Sequence, residues 1–255
     1  MRRGERRKAI LDLLVEQRTA DLDDLATRFA VSRMTIHRDL DDLEQEGLLR
    51  KVRGGATIEA GTQFESDFQF RARQNGEAKD RMAAVALELI EPGMTVMVND
   101  GSTAAILGAL LPEKRPLTVI TNNAAVLDRL KGEPGIKLMA LGGVFSAKFN
   151  AFFGVVTEDA LARLKADMAI ISVPAVAGRQ AFHMDEEVVR AKRAMMAAAV
   201  QSCLLVNHQR IGRSALHVLA DLAQFSTVIT DDDPAPEAQE ALAREGIALR
   251  IARPG

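Results

Sequence analysis

The chain has no tryptophan and no tyrosine. Stacking of bases on aromatic rings is therefore a poor option, which argues against single-stranded nucleic acid as a partner. There is one cysteine, Cys203, in the apolar run CLLV. An intrachain disulfide and a cysteine-based metal site are both excluded, and Cys203 reads as a small buried hydrophobe. No apolar run approaches the ~20 residues needed to cross a bilayer. The basic start, MRRGERRKAI, lacks the apolar core of a signal peptide, so a cytoplasmic protein with no membrane partner is expected. His183, His208 and His217 form no metal-ligand spacing, and Asp231, Asp232 and Asp233 have no neighbouring ligand set; no metal and no cofactor is expected. Net charge is also lacking, at -2. A nucleic-acid surface, if there is one, must be local rather than global.

At 255 residues and 47% apolar content the chain suits one small and one larger globular domain. The stretch 31–56, VSRMTIHRDLDDLEQEGLLRKVRGGA, organises the first. Ser32 is a good N-cap, because its hydroxyl can accept from a free amide of the first turn. Ile36, Leu40 and Leu43 recur at helical spacing and define a buried stripe. The opposite face carries Met34, His37 and Arg38, with Arg33 and Thr35 at its margins. Gly47 is placed to end the helix. Arg50, Lys51 and Arg53 follow, and Gly54 and Gly55 make a turn.

An ordinary amphipathic helix with a charged, solvated face would also explain Asp39, Asp41, Asp42, Glu44 and Glu46. The acids, however, sit in the second half, while the first turns carry basic and hydrogen-bonding groups. A recognition helix enters the major groove by its N-terminal turns, so the polarity favours DNA. Before this helix, residues 6–17 place Ile10, Leu11, Leu13 and Leu14 on one helical face. The cluster Arg2, Arg3, Arg6, Arg7 and Lys8 at its start either contacts phosphates or is a solvated terminus. Leu22, Leu25, Ala26 and Phe29 give a second short helix capped by Asp21. Helix, short turn, helix is the helix-turn-helix layout, with Val31 as the plug. A short strand over 48–52 makes the unit winged.

The segment TIHRDLDDLEQEGLLRKVRGGA resembles the signature of the DeoR family of bacterial transcriptional regulators. Thr35, Ile36, Arg38, Asp39, Leu40, Leu43, Gly47 and the trio Gly54, Gly55 and Ala56 match it. His37 stands where the family usually has arginine. A neutral imidazole weakens a phosphate contact, and a histidine titrating near neutrality makes binding sensitive to pH.

Residues 59–76 have no clean period, with Phe64, Phe68 and Phe70 as anchors on one of the domains. The expected organisation is a winged helix-turn-helix domain over 1–57, a linker over 58–76 and an α/β effector-sensing domain over 77–255. In the last, helices are expected at 79–90, 104–111, 124–130, 157–165, 186–201, 216–222 and 236–245. Strands are expected at 95–98, 117–121, 136–141, 168–173, 202–206, 227–230 and 247–251. Such alternation implies a mostly parallel sheet covered on both faces.

In sheets of that kind ligands bind beyond the carboxyl ends of the strands. Three loops at those ends are informative. Asn99, Asp100, Gly101, Ser102 and Thr103 combine a glycine that lets an anion approach with hydroxyls at a helix start, a phosphate-binding arrangement. Thr121, Asn122 and Asn123 can bond sugar hydroxyls, and Gly142 and Gly143 form the third loop. Ordinary turn chemistry accounts for each loop singly, but three on one edge favour a pocket. Glu186, Glu187, Arg190 and Lys192 lie on one helix, where pairing explains most of them.

The larger domain is also similar to the sugar-phosphate-sensing domain of DeoR-type regulators, over essentially all of 77–255. That resemblance implies a ribose-5-phosphate isomerase-like fold. It makes Asn99, Asp100, Gly101, Ser102, Thr103, Thr121, Asn122, Gly142, Gly143, Lys192 and Arg210 the candidate effector residues. Asn99 replaces the aspartate that usually opens the first motif. Residues 207–212, NHQRIG, replace a family motif with serine and lysine; Arg210 or Arg213 can supply a cation. The candidate DNA contacts are Ser32, Arg33, Met34, Thr35, His37, Arg38, Arg50, Lys51 and Arg53.

The expected function is a sequence-specific DNA-binding regulator, a repressor of a carbohydrate catabolic operon controlled by a phosphorylated sugar or related anion. Its partners are a double-stranded operator, the effector and a second copy, as homodimer or homotetramer, because two-fold operators mirror two-fold proteins. The alternatives are a sugar-phosphate isomerase or deaminase with an appended DNA-binding unit, for which Asp100 is the candidate base, and an architectural DNA binder with no ligand.

Overall fold

A computed structural model describes residues 2–17, 19–45, 48–57 and 68–253. They fall into two compact units, Met1–Gln74 and Asn75–Gly255. In the first, α1 (Arg3–Gln17), β1 (Thr19–Asp21), α2 (Leu22–Arg28) and α3 (Arg33–Gln45) precede β2 (Arg50–Val52), β3 (Gly55–Thr57) and α4 (Phe68–Arg73). Asp21 caps α2, its carboxylate accepting from the amide of Asp23 at 2.7 Å. Ser32 caps α3 in the same way, accepting from the amide of Thr35 at 3.2 Å. Ile10, Leu14, Leu25, Ile36, Leu40 and Leu49 are buried in one apolar core, against which Val31 packs. The three strands form a small antiparallel sheet in the order β1-β3-β2.

The second unit begins with α5 (Gly76–Leu87), β4 (Thr95–Val98), α6 (Ser102–Leu110), β5 (Leu117–Thr121), α7 (Ala124–Leu130) and β6 (Ile136–Ala140). A hairpin, β7 (Val144–Ser146) and β8 (Ala151–Phe153), leads to α8 (Val155–Leu161) and β9 (Ala166–Ser172). Then come β10 (Ala175–Ala177), β11 (Gln180–His183), α9 (Glu186–Ala198), β12 (Ala199–Leu205) and β13 (His217–Asp221). The described chain closes with β14 (Thr227–Thr230), α10 (Pro236–Arg244) and β15 (Leu249–Ile251). Seven strands make one sheet in the order β15-β14-β12-β9-β4-β5-β6, and every pairing in it is parallel. Its strands are apolar on both sides, with Val96, Val98 and Ile170 in one core and Met97, Ala169 and Ile171 in the other. That is the burial expected when helices cover both faces of a parallel sheet.

Three expectations are corrected. Residues 216–222 are not a helix: His217–Asp221 is a strand, paired antiparallel with β11 and sending Leu219 and Ala220 into the core. A partner ladder has overridden a weak local preference, as happens for short segments. The expected linker contains a short helix, α4, though its Phe68 and Phe70 are buried as the anchors expected, Phe70 in the core of the N-terminal unit. The helix expected at 186–201 stops at Ala198, and 199–201 already belong to β12. The hairpins β7-β8 and β10-β11 were not foreseen. Gly47 and Phe64 lie outside the described residues.

Candidate DNA interface and effector site

On α3, Ile36, Leu40 and Leu43 face the core, while Ser32, Arg33, Met34 and Arg38 are exposed and Thr35 and His37 half-buried. The strands β2 and β3, joined by a turn with Gly54 at φ 88, form the wing. It exposes Arg50 and Arg53 and half-buries Lys51. The backbone amide of Lys51 donates to Glu44 at 2.7 Å and its ammonium pairs with Asp41, so the wing is fastened to the end of α3. Arg33 pairs with Asp23 of α2 at 2.8 Å, and the hydroxyls of Ser32 and Thr35 share a hydrogen bond of 2.9 Å.

The basic cluster of α1 divides. Arg2 and Lys8 are exposed. Arg6 is buried, with Nε donating to Asp39 at 2.6 Å, and Arg3 pairs with Asp42. Arg6 is therefore a strut between α1 and α3 and not a phosphate contact. Asp39, read from sequence as part of a charged face, is likewise interior at 1% exposure.

At the carboxyl ends of the parallel strands, the loop after β4 is buried, including Asn99, Asp100 and Gly101; Ser102 is buried and Thr103 half-buried at the start of α6. Asp100 Oδ1 lies 3.5 Å from Nζ of Lys192, which reaches in from α9 and donates to the carbonyl of Ser172 at 2.8 Å. Lys192 thus separates from Glu186, Glu187 and Arg190, which pair with one another. Asn99 donates from Nδ2 to Asp100 Oδ1 at 3.3 Å and to the Ser172 carbonyl at 3.4 Å, and accepts from the Ser172 hydroxyl at 3.3 Å. An aspartate at 99 could not donate either of the first two bonds. Asp100 Oδ2 is buried with no hydrogen-bond partner among the described residues.

Gly101 has ordinary extended backbone, and space is what demands glycine there: a Cβ would stand 1.7 Å from the hydroxyl of Ser172. Thr121 donates to the carbonyl of Val98 at 2.6 Å, and Asn122 donates to that of Phe152 at 3.0 Å. The donors expected to meet sugar hydroxyls are thus spent on the protein, and Asn122 Oδ1 is left as a buried acceptor with no hydrogen-bond partner among the described residues. Asn123, which caps α7, ties β5 to the first loop by donating to the carbonyls of Asn99 at 3.0 Å and Gly101 at 3.2 Å. Gly143, at φ 136, passes so close to β8 that a Cβ would meet the Phe153 carbonyl at 2.3 Å. Gly142 is exposed and its carbonyl accepts from Thr157 at 2.6 Å.

Arg210 belongs to a different cluster. It ends a single 3₁₀ turn, His208–Arg210, after β12. Asp231, buried at the end of β14, accepts from the Asn207 side chain at 2.8 Å and the His208 amide at 2.7 Å, with His208 Nδ1 at 2.9 Å. A cavity of about 460 Å³ beside it is lined by Gly178, Ile211, Gly212, Arg213, Ala238 and Leu242. Another, of about 590 Å³, lies around Arg193, Gln201, Val218 and Asp221, at the amino end of β12 and so away from the ligand edge of the sheet. Among the described residues no group of three or more metal-ligating side chains occurs, and no helix is long and apolar enough to cross a membrane. Sequence reasoning missed Ser172 and Thr157, and it named Asn123 and Asp231 without finding their roles. Only Asn123, beside Thr121 and Asn122, carried any local signal.

Comparison with known proteins places both units. The model of the DeoR-like helix-turn-helix domain matches residues 6–61, and that of the DeoR C terminal sensor domain matches residues 74–232. The chain is 31% identical to the L-fucose operon activator of Haemophilus influenzae, over 89% of this chain and 91% of that protein. It is 25% identical to the glycerol-3-phosphate regulon repressor of Escherichia coli, over 98% of this chain and 100% of that protein. Among solved structures it is similar to ribose 5-phosphate isomerase A from Methanocaldococcus jannaschii, with a TM-score of 0.39 and 17% identity over 52% of this chain and 53% of that one.

Proposed function

The chain belongs to the DeoR family of transcriptional regulators, and from that premise we propose that it represses a carbohydrate catabolic operon under the control of a phosphorylated sugar. It is a DNA-binding regulator and not an enzyme. In our reading Ser32, Arg33, Met34, Thr35, His37 and Arg38 face the major groove, and Arg50, Lys51 and Arg53 lie on the adjoining backbone. A homodimer or homotetramer presents two such helices to the halves of an operator.

One observation carries the effector reading: the buried pair of Asp100 and Lys192 at the carboxyl edge of the sheet, with Asp100 Oδ2 unmatched. A buried ion pair does little for stability that apolar residues of the same volume would not do, so a functional reason for it is sought. We assign Asp100 and Asn122 to hydroxyl groups of the effector, since both present acceptors. Its phosphate would meet the first-turn amides of α6, with Ser102 and Thr103 beside them. Gly142, Gly143 and Lys192 would complete the surroundings, whereas Arg210, in the cluster around Asp231, is left out of this assignment. Such a ligand regulates only by binding one arrangement of the DNA-binding units better than another.

The test combines thermal shift and operator binding. Duplexes bound by the protein are recovered genome-wide, and glycerol 3-phosphate and a panel of pentose and hexose phosphates are screened for a raised melting temperature. A ligand that raises it and changes affinity for the recovered duplex supports the reading. No shift with any of them would remove the effector, and turnover of a hit would restore the enzyme alternative. Arg38→Ala is expected to abolish specific binding while the larger unit melts unchanged; undiminished binding would remove Arg38 from the interface.

A further inference from the structure

We propose that Met34 reads the C5 methyl group of a thymine in the operator's major groove and so specifies one position of each half-site. The inference rests on the reading that the first turns of α3 enter that groove. Met34 lies on the face of α3 opposite Ile36, Leu40 and Leu43 and is 62% exposed. Its neighbours in the same turn are already engaged within the chain. Arg33 is paired with Asp23, and the hydroxyls of Ser32 and Thr35 hold each other and the helix cap. What the leading turn offers at its tip is a long apolar side chain.

The chemistry of the groove then narrows the target. The major-groove edges of guanine, cytosine and adenine present donors and acceptors, which a thioether cannot match beyond one weak acceptor. Thymine adds an apolar methyl group that projects into the groove. Methionine is unbranched and polarisable, so it can fold over such a group without demanding one approach angle. His37 and Arg38 stand one turn further along the same face, where they reach adjacent bases or phosphates.

The test uses the full-length protein and duplexes that it selects from a randomised library. Each thymine of the selected site is replaced in turn by uracil, which lacks only that methyl. At one thymine of each half-site, uracil is expected to weaken binding about fourfold, the equivalent of leaving one methylene-sized group unburied. Met34→Ala is expected to bind the thymine and uracil duplexes equally, and Met34→Leu to keep the discrimination. Both variants should melt as the unaltered protein does, because the side chain is exposed. Tolerance of uracil at every position overturns the proposal while leaving sequence-specific binding intact, and so does an equal loss in Met34→Ala. Failure to select any duplex would sink the reading of α3 as the recognition helix, and this proposal with it.

Discussion

Asp39 of α3 and Arg6 of α1 form a buried pair, with Nε donating to the carboxylate at 2.6 Å. Arg3 stands 3.7 Å from the other oxygen of Asp39, on the more exposed side. Two helices that share an apolar core are thereby also fixed in angle, which sets how the first turn of α3 is presented.

Arg6→Ala should therefore act on folding. Removing one partner of a buried ion pair leaves the other charge without compensation, and a loss of about 3 kcal/mol is expected for the N-terminal unit. Urea denaturation followed by circular dichroism measures it. Were Arg6 a phosphate contact instead, the slope of log affinity against log salt would fall by about one, with stability untouched.

Lys192→Met should cost about 3–5 kcal/mol, because the buried Asp100 then loses its cationic partner. Adding Asp100→Asn to it is expected to recover most of that loss, since a neutral amide needs no counter-charge. Unfolding of the two single variants and the double variant closes the cycle. Strict additivity would show that the two side chains are not coupled.

Gly101→Ala sets a Cβ against the Ser172 side chain, 1.7 Å from its oxygen and 2.9 Å from its Cβ. Overpacking of this kind costs typically 1–3 kcal/mol. Ser172→Gly removes both obstructing atoms, so the double variant should tolerate alanine at 101 far better than the single one. A Gly101→Ala variant that melts like the unaltered protein would mean that the loop shifts freely.

Burial pushes the Cys203 thiol up to about 12 against an ordinary 9.0, outweighing the opposing guanidinium of Arg250. The thiolate is the reactive form, so the folded protein should resist iodoacetamide at pH 8 and react once unfolded. The unfolded chain releases this proton near 9.0 and the folded chain near 12. Between those values the folded state holds the extra proton, and stability falls as pH rises. Alkylation at equal rates in both states would contradict the burial.

Much of this architecture is legible residue by residue. Ser32 as a cap and the stripe Ile36, Leu40 and Leu43 follow from spacing alone, and so do β4, β5, α7 and β14, whose apolar runs end in short polar turns. The strand at His217–Asp221 is not legible, because its state is decided by pairing with β11. The roles of Gly101 and Asn123 also escaped: one is set by the hydroxyl of Ser172, the other by carbonyls on the neighbouring strand's loop.

Periodicity encodes which face of each element is apolar, and polar residues after strands encode where loops lie. The chain by itself thus settled a helix-turn-helix with a basic leading turn and a parallel sheet whose polar loops gather on one edge. It could not say which charges are spoken for, because an ion pair depends on elements far apart in sequence being packed together. Only the tertiary structure placed Arg6 on Asp39 and Lys192 on Asp100, and Arg33 on Asp23 beside the Met34 that periodicity had already turned outward.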